Sequence, residues 1–398
     1  MLKNKKILLG VTGGVACYKS ALIVRFLKLA GAEVRVILSK GAQSFVGPLT
    51  FQALSGYPVS LDILSPTEEA SMSHISLARW ADAVLIAPAT AQCLAKLAHG
   101  VADDLLSTLC LATQAPIFVA PAMNHIMWSN QAVQANVVLL QSRGITILGP
   151  DEGVQACGEE GLGRMLEPEC IQAELTAFFY PKLLQGKHVV ITAGPTQEFI
   201  DPVRFISNAS SGKMGYAIAT AANYMGAKVT LISGPVALSA PRGVNVVKVI
   251  AANEMREVTL KEARHADVFI ATAAVADYRP ISKEKNKIKK KSEKMQVELI
   301  LNEDILAEVA NLPNKPYLCG FAAETDQPEM HARIKLAKKK LDLICVNDVS
   351  EPHKVFGSDE NEVILITADT PQVKLDRLPK LIVAEKILQF IASKLFRA

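Results

Sequence analysis

Four segments in the first half of the chain carry side chains able to hold or move a proton. They are SHISLARWADAVLIAPATA (73–91), HGVADDLL (99–106), PAMN (121–124) and GVQACGEEGLGRM (153–165). His74 opens a helical pattern, where an imidazole can serve as a base near neutral pH or can simply be a cap or surface residue. Asn124 follows an apolar run. A neutral amide there can hold a carboxylate without adding charge, or it can cap the next helix. Cys157 stands among Gly153, Gly158, Gly161 and Gly163. That composition suits a mobile flap whose thiol closes over a substrate and donates a proton; the alternative is an inert thiol in a surface loop.

In the second half, ITAGPTQEFIDPVRFISNASSGKMG (191–215), ATAAVADYRP (271–280), KIKK (287–290), GFAAET (320–325) and KLAKKKLDLICVND (335–348) stand out. A nucleoside triphosphate carries about four negative charges, which several cations or a metal must offset. Lys287 and Lys289 on a loop, with Lys335 and Lys339 at i, i+4 on one helix face, could supply them, or could be merely solvated. SSGKMG (210–215) resembles a phosphate loop but lacks its spacing. A Walker loop needs Gly five residues before the Gly-Lys pair and Ser or Thr after it, and Ser207 and Met214 occupy those places.

These groups need elements to position them, and the chain reads as strand then helix, repeatedly. Apolar runs at 6–9, 34–38, 83–87, 117–120 and 145–148 alternate with helical patterns such as 16–30. Short unbroken apolar strands between helices indicate a mainly parallel α/β sheet covered on both faces. After a closing helix within 167–187 the rhythm resets, and KHVVITAGPT repeats the layout of KKILLGVTGG. A second series of strands follows at 229–232, 246–249, 268–271, 318–321, 343–346 and 363–366, with a last helix over 379–396. We therefore expect two Rossmann-like domains, 1–186 and 187–398, with residues 283–294 as an exposed lysine-rich loop. Each domain begins with a glycine turn after its first strand, which offers backbone N–H groups to a phosphate or only tightens the turn. Neither is a dinucleotide fingerprint: the first reads Gly10-x-x-Gly13-Gly14, and Ser39-Lys40 stand where a ribose-binding acid would be.

The bulk composition excludes several classes. The chain has 398 residues, half of them hydrophobic, with a net charge of +4 that by itself implies no nucleic-acid partner. Its seven cysteines are odd in number and contain no CxxC pair, which argues against zinc or disulfide frameworks and for a reducing cytoplasm. The basic N-terminus is followed by an apolar run too short for a signal peptide, and no apolar stretch approaches the ~20 residues of a membrane span. The loop lysines lack the interleaved aromatics of a nucleic-acid binder.

The strand–Thr-Gly-Gly turn, the His-Ile…Ala-Pro-Ala-Thr run, PAMN and the ACGE flap ending in Gly-Arg-Met occur in order across 1–186. Together they resemble the flavoprotein decarboxylases of coenzyme A synthesis. The resemblance implies FMN at Thr12, Gly13, Gly14, Val15 and Ser39 and along Pro88, Ala89, Thr90, Ala91 and Gln92. It also implies that 4′-phosphopantothenoylcysteine is oxidised at its thiol, so that the β-carboxylate leaves as CO₂. His74 would be base or orienter, Asn124, with Met123, would hold the carboxylate, and Cys157 would be the proton donor. Gln92-Cys93 replaces the family's usual Asn-Thr.

The Asp-Pro-Val-Arg-Phe-Ile-Ser-Asn…Ser-Ser-Gly-Lys-Met-Gly signature of 187–398 resembles the phosphopantothenate–cysteine ligases, which bacteria fuse after the decarboxylase. The resemblance implies CTP and Mg²⁺, an acyl-cytidylate held by Asn208, and Arg204 in substrate binding. CTP would lie against Ala271, Thr272, Ala273, Asp277, Lys287, Glu303, Asp304, Ile305, Leu306, Phe321, Lys335 and Lys339, with Lys287 also serving the second half-reaction. Gln197 stands where Arg is common and Glu303 where Pro is common. The resemblance further implies homo-oligomers built from decarboxylase trimers and ligase dimers. A flavin-binding protein without the chemistry would be expected to lack His74, Asn124 or Cys157, and all three are present.

Overall fold

KILLGV is apolar from its second residue on, so it can lie only between two helical layers. In the computed structural model it forms β1 (Lys6–Val11), buried from Ile7 onward. The structure describes residues 2–62, 74–289, 295–324, 327–348 and 357–396; residues 290–294 of the lysine-rich loop and Thr325 lie outside them. The chain divides into two compact units, Met1–Tyr180 and Pro181–Ala398.

In the first unit, β1 is joined by β2 (Glu33–Leu38), β3 (Ala83–Ala89), β4 (Ile117–Pro121) and β5 (Thr146–Ile147), all parallel, in the order β2-β1-β3-β4-β5. Every residue of β3 is buried, as expected of a central strand covered on both faces. The covering helices are α1 (Cys17–Leu29), α2 (Pro48–Ser55), α3 (His74–Trp80), α4 (Ala91–His99), α5 (Leu105–Ala112), α6 (His125–Ser129), α7 (Gln131–Ser142) and α8 (Pro168–Phe179). Two apolar clusters result. One packs Ile23, Leu27 and Ile171 on Leu9 and Val36, and the other packs Leu94, Leu109 and Leu140 on Val84 and Val119. The glycine-rich flap is an antiparallel hairpin, β6 (Asp151–Val154) and β7 (Glu160–Arg164), outside the main sheet.

The second unit opens with β8 (His188–Ala193). A small pair, β9 (Gln197–Phe199) and β10 (Phe205–Ser207), follows, then α9 (Lys213–Tyr224), β11 (Lys228–Ser233), β12 (Asn245–Lys248), α10 (Ala252–Ala263) and β13 (Val268–Ala271). Next come a second small pair, β14 (Tyr278–Pro280) and β15 (Leu299–Leu301), and α11 (Ile305–Ala310), β16 (Tyr317–Glu324), α12 (Pro328–Lys338) and β17 (Leu343–Asp348). The chain closes with β18 (Glu360–Ile366), β19 (Val373–Pro379) and α13 (Lys380–Leu395). The sheet order is β12-β11-β8-β13-β16-β17-β18-β19, parallel up to β17 and antiparallel thereafter. Residues 283–289 are exposed except for half-buried Ile288. Among the described residues no helix is long and apolar enough to cross a membrane.

The two sheets differ in order, yet both reverse direction beside their first strand, where open α/β sheets leave a crevice beyond the strands' carboxyl ends. At each crevice the loop after the first strand presses on the loop after the second. A Cβ on Gly13 would lie 2.8 Å from the Gly41 carbonyl carbon, and one on Gly234 would lie 1.8 Å from the Pro195 oxygen. A Cβ on Gly14 meets nothing within 4 Å. Gly13→Ala is therefore expected to cost about 1–3 kcal/mol of stability through a backbone clash. Gly14→Ala should leave stability unchanged or raise it by up to about 1 kcal/mol by restricting the unfolded chain. Urea unfolding of the pair checks this, and equal losses in both would contradict it.

Candidate active sites

The first-unit crevice is built by Thr12. Its Oγ1 donates to the Pro88 carbonyl at 2.8 Å and accepts the Thr90 N–H at 3.1 Å, fastening the end of β1 to the end of β3. Thr90 in turn caps α4, accepting from the Cys93 N–H at 3.2 Å. Between these loops lies a cavity of about 490 Å³, lined by Thr12, Gly13, Ser39, Thr90, Ala91 and Gln92 among others. Gly14, Val15, Pro88 and Ala89 do not line it: Val15 is 60% exposed, while Ala89 is fully buried within β3. Lys40 adds a cation and Ser39 a hydroxyl at the end of β2. Bare backbone at Gly13, a hydroxyl and a lysine at a switch point suit a phosphate-bearing cofactor.

A second charged group in this cavity was not signalled by any residue we singled out for flavin contact. Lys96 lies 2.6 Å from Asp103 and 2.8 Å from Asp104. Asp104 also caps α5 in a reciprocal pair with Ser107, accepting the Ser107 N–H at 2.8 Å. Burial pushes the Asp104 carboxyl up, but Lys96 and the Ser107 N–H and hydroxyl together outweigh it and hold the group below the ordinary carboxylate range. The signal lay in HGVADDLLS, an Asp-x-x-Ser opening an apolar helix. Cys93, also on the cavity wall, is buried and its thiol is pushed up to about 12 by desolvation, so it is not a reactive group.

Asn124 caps the next helix and also binds a carboxylate of the protein itself. Its Oδ1 caps α6, accepting the Ile126 N–H at 2.9 Å, which directs its Nδ2 toward the hairpin. Nδ2 lies 3.7 Å from Cys157 Sγ, 3.3 Å from Gln155 Oε1 and 2.5 Å from Glu159 Oε2. The Cys157 S–H donates to that same Glu159 oxygen at 3.4 Å. These hydrogen bonds, from Asn124 first and Cys157 second, lower the Glu159 carboxyl. The hairpin is seated by backbone: the Met123 N–H donates to the Gly163 carbonyl at 3.0 Å, and a Cβ on Gly163 would fall 2.2 Å from the Met123 oxygen. With φ at +149°, that position requires glycine. Glu159 and Gln155 fall inside the 153–165 segment but, like His125, carry no signal of their own, because only the hairpin brings them to Asn124. His74, half-buried at the start of α3, is not among the residues lining the cavity.

In the second unit two cavities adjoin, sharing Ala273, Val275 and Phe321 as a wall. The larger, about 520 Å³, is lined by Ala271, Asp277, Glu303, Asp304, Ile305, Leu306 and Lys339. Asp304 caps α11 and meets Lys339 at 2.7 Å; these contacts overcome its burial and lower its carboxyl. Glu303 is answered by Arg279 at 3.2 Å, so its charge is not left facing the cavity alone. The smaller cavity, about 440 Å³, holds Asn208, Thr272, the 210–215 turn, Lys213 and Lys380. Asn208 Nδ2 donates to the Ala274 and Val275 carbonyls at 3.3 and 3.0 Å, so it stands at the shared wall. Arg204, Lys287 and Lys335 line neither cavity. Arg204 instead joins fully buried Asp201 at 3.0 Å and the Ile288 carbonyl at 3.3 Å, while Asp201 accepts the Ile288 N–H at 3.2 Å. Together they tether the loop beside exposed Lys287. Among the described residues no three His, Cys, Asp or Glu side chains converge on a metal position.

Residues 1–180 match the family model described as Flavoprotein, and residues 184–395 match the C-terminal domain of DNA/pantothenate metabolism flavoproteins. The chain is 53% identical over 367 residues to the coenzyme A biosynthesis bifunctional protein of Vibrio vulnificus, covering 92% of each chain. It is 50% identical over 377 residues to the Escherichia coli protein of that name, covering 94% of this chain and 93% of the other. Among solved structures, the C-terminal domain of a coenzyme A biosynthesis bifunctional protein is 42% identical, covering 54% of this chain and 98% of that one, with a TM-score of 0.46. The chain belongs to the bifunctional coenzyme A biosynthesis proteins: it is an enzyme joining a flavoprotein decarboxylase to a ligase.

Because Asp104 is lowered in the folded state, its ionisation adds stability above the unfolded carboxyl pKa, and that stability is lost as pH falls through the folded value. Asp104→Asn should therefore lower stability at neutral pH and flatten its acid limb. Unfolding midpoints measured from pH 7 down to pH 3 check this; an unaltered acid limb would contradict it.

Proposed function

We propose that the first unit, taken as 1–186, decarboxylates 4′-phosphopantothenoylcysteine with FMN, and that the second, 187–398, makes that compound from 4′-phosphopantothenate, cysteine and CTP. The observation that carries the first assignment is the meeting of Asn124 Nδ2 and Cys157 Sγ at 3.7 Å, across 33 positions of sequence, in a chain of this family. FMN, which the cavity beside Thr12, Gly13, Ser39 and Lys40 fits, supplies a reversible two-electron acceptor for a thiol. The protein's own part is positional. Asn124 orients the carboxylate that leaves as CO₂ without adding charge, His74 takes or orients a proton, and Cys157 returns one to the carbon product.

For the ligase, the shared wall of the two cavities supports the reading. CTP occupies the larger, against Ala271, Asp277, Ile305, Leu306, Phe321 and Lys339, and phosphopantothenate the smaller. The carboxylate attacks the α-phosphorus across the wall, pyrophosphate leaves, and Asn208 holds the acyl-cytidylate until cysteine's amine displaces CMP. Lys287 swings in from its tethered loop, aided by Lys335, to offset the phosphate charge. Mg²⁺ arrives on the triphosphate, since it ordinarily keeps water and phosphate ligands rather than a protein cage. Cytoplasmic location and assembly into homo-oligomers, as decarboxylase trimers and ligase dimers, complete the reading.

Purified protein should be yellow and convert phosphopantothenate, cysteine and CTP to 4′-phosphopantetheine with CO₂ release. Colourless protein inert in both half-reactions would overturn the assignment. Cys157→Ser should still release CO₂ yet form reduced product at least about a hundredfold more slowly, the usual worth of a positioned acid. Asn208→Ala should depress amide formation by a similar factor while decarboxylation of supplied phosphopantothenoylcysteine stays at the parent rate. Loss of both would mean general misfolding.

A further inference from the structure

The amide expected to receive the substrate's carboxylate already holds one. Asn124 cannot turn its Nδ2 away, because its Oδ1 is committed to the Ile126 N–H at the start of α6. That Nδ2 donates to Glu159 Oε2 at 2.5 Å, the shortest of its three contacts. The same oxygen accepts the Cys157 S–H at 3.4 Å, so one carboxylate engages both the orienting amide and the proton-bearing thiol. A second carboxylate cannot be added beside it, since two anions sharing one amide repel. The same oxygen already adjoins a group that can keep it when it leaves Asn124. His125 Nδ1 is buried without a hydrogen-bond partner and lies 3.4 Å from Glu159 Oε2. The Glu159 side chain is 53% exposed, so its movement displaces no packed core.

We propose that Glu159 is a positioning residue: it occupies the carboxylate seat on Asn124 in the ligand-free enzyme, and substrate binds by exchanging its own carboxylate for that of Glu159. This rests on the decarboxylase reading above. The exchange has two consequences. When Glu159 turns toward His125, the Cys157 S–H loses its nearer acceptor and keeps only the Gln155 oxygen at 4.0 Å, which leaves it easier to turn to the substrate, so carboxylate arrival and proton availability are coupled. Once CO₂ has left, the product has no carboxylate to hold Glu159 off, and Glu159 retakes Asn124. Glu159 therefore costs the acid part of its binding and costs the decarboxylated product none, although the two share every other group.

Glu159→Gln in the full-length, flavin-loaded protein tests this, because Gln keeps the size and an acceptor oxygen but removes the charge. KM for phosphopantothenoylcysteine should fall about three- to tenfold, since an affinity reduced by a minor competent population recovers when that population rises. The inhibition constant of 4′-phosphopantetheine should stay within about twofold, because that compound does not need Asn124. Glu159→Ala should reproduce the fall in KM, which separates loss of the charge from any contact Gln retains. An unchanged KM in both variants overturns the proposal. So does a joint rise of KM and of the product's inhibition constant, which would mark Glu159 as a brace of the hairpin. Asn124→Ala separates the two levels. If the parent protein decarboxylates and Asn124→Ala raises KM, a silent Glu159→Gln sinks only the exchange. If Asn124→Ala leaves KM untouched, the decarboxylase reading of Asn124 falls and the exchange falls with it.

Discussion

Both units depend on one backbone constraint: the loop that ends the first strand must touch the loop that ends the second without a side chain between them. In the first unit the contact is Gly13 on Gly41, and the Ser39 N–H donates to the Val11 carbonyl at 3.0 Å. In the second it is Pro195 on Gly234, and the Gly234 N–H donates to the Ala193 carbonyl at 2.9 Å. The pressed loops lie on one side of the switch point, next to the crevice between β1 and β3 and between β8 and β13. Beside these contacts Thr12 fastens β1 to β3, and the Ala274 N–H donates to the Gly194 carbonyl at 2.9 Å.

A second regularity is electrostatic. Each cavity expected to take an anion holds cations that already have carboxylate partners: Lys96 with Asp103 and Asp104, Lys339 with Asp304, Lys213 with Asp359. A partly buried lysine without a counter-charge would be costly or would lose its proton. Lys380, which donates to the Ser358 carbonyl, is lowered by burial first and by nearby Lys213 second, with Asp359 opposing them. Glu159 on Asn124 is the neutral-amide version of the same arrangement. A ligand-free site of this kind is stable because its polar groups satisfy one another.

Much of this was legible in the residues. Unbroken apolar runs such as 83–87 and 268–271 placed the buried parallel strands, because a period-free apolar segment of that length has nowhere else to go. The antiparallel β18 and β19 edge was less legible, since Val373–Pro379 alternates charge and apolar residues and earns its strand from Glu360–Ile366 beside it. The hairpin β6–β7 reads in sequence only as a glycine-rich flap. Its pairing is decided by Met123 and Gly163, which lie 40 positions apart.

The sequence by itself determined the two-domain α/β plan, the positions of both switch-point turns, and the residue types that bear chemistry: Asn124, Cys157, Asn208 and the lysines. These are local signals, carried by periodicity and by short motifs whose geometry is nearly self-contained. Tertiary structure alone decided which residues answer them. Glu159 on Asn124, Arg279 on Glu303, Asp104 on Lys96, and the tether of Asp201 and Arg204 on Ile288 all join separate segments. Hydrogen bonds and ion pairs reach only about 3–4 Å. Which charge meets which group is therefore fixed by how the loops come together over the sheet, and a one-dimensional pattern does not carry that distance.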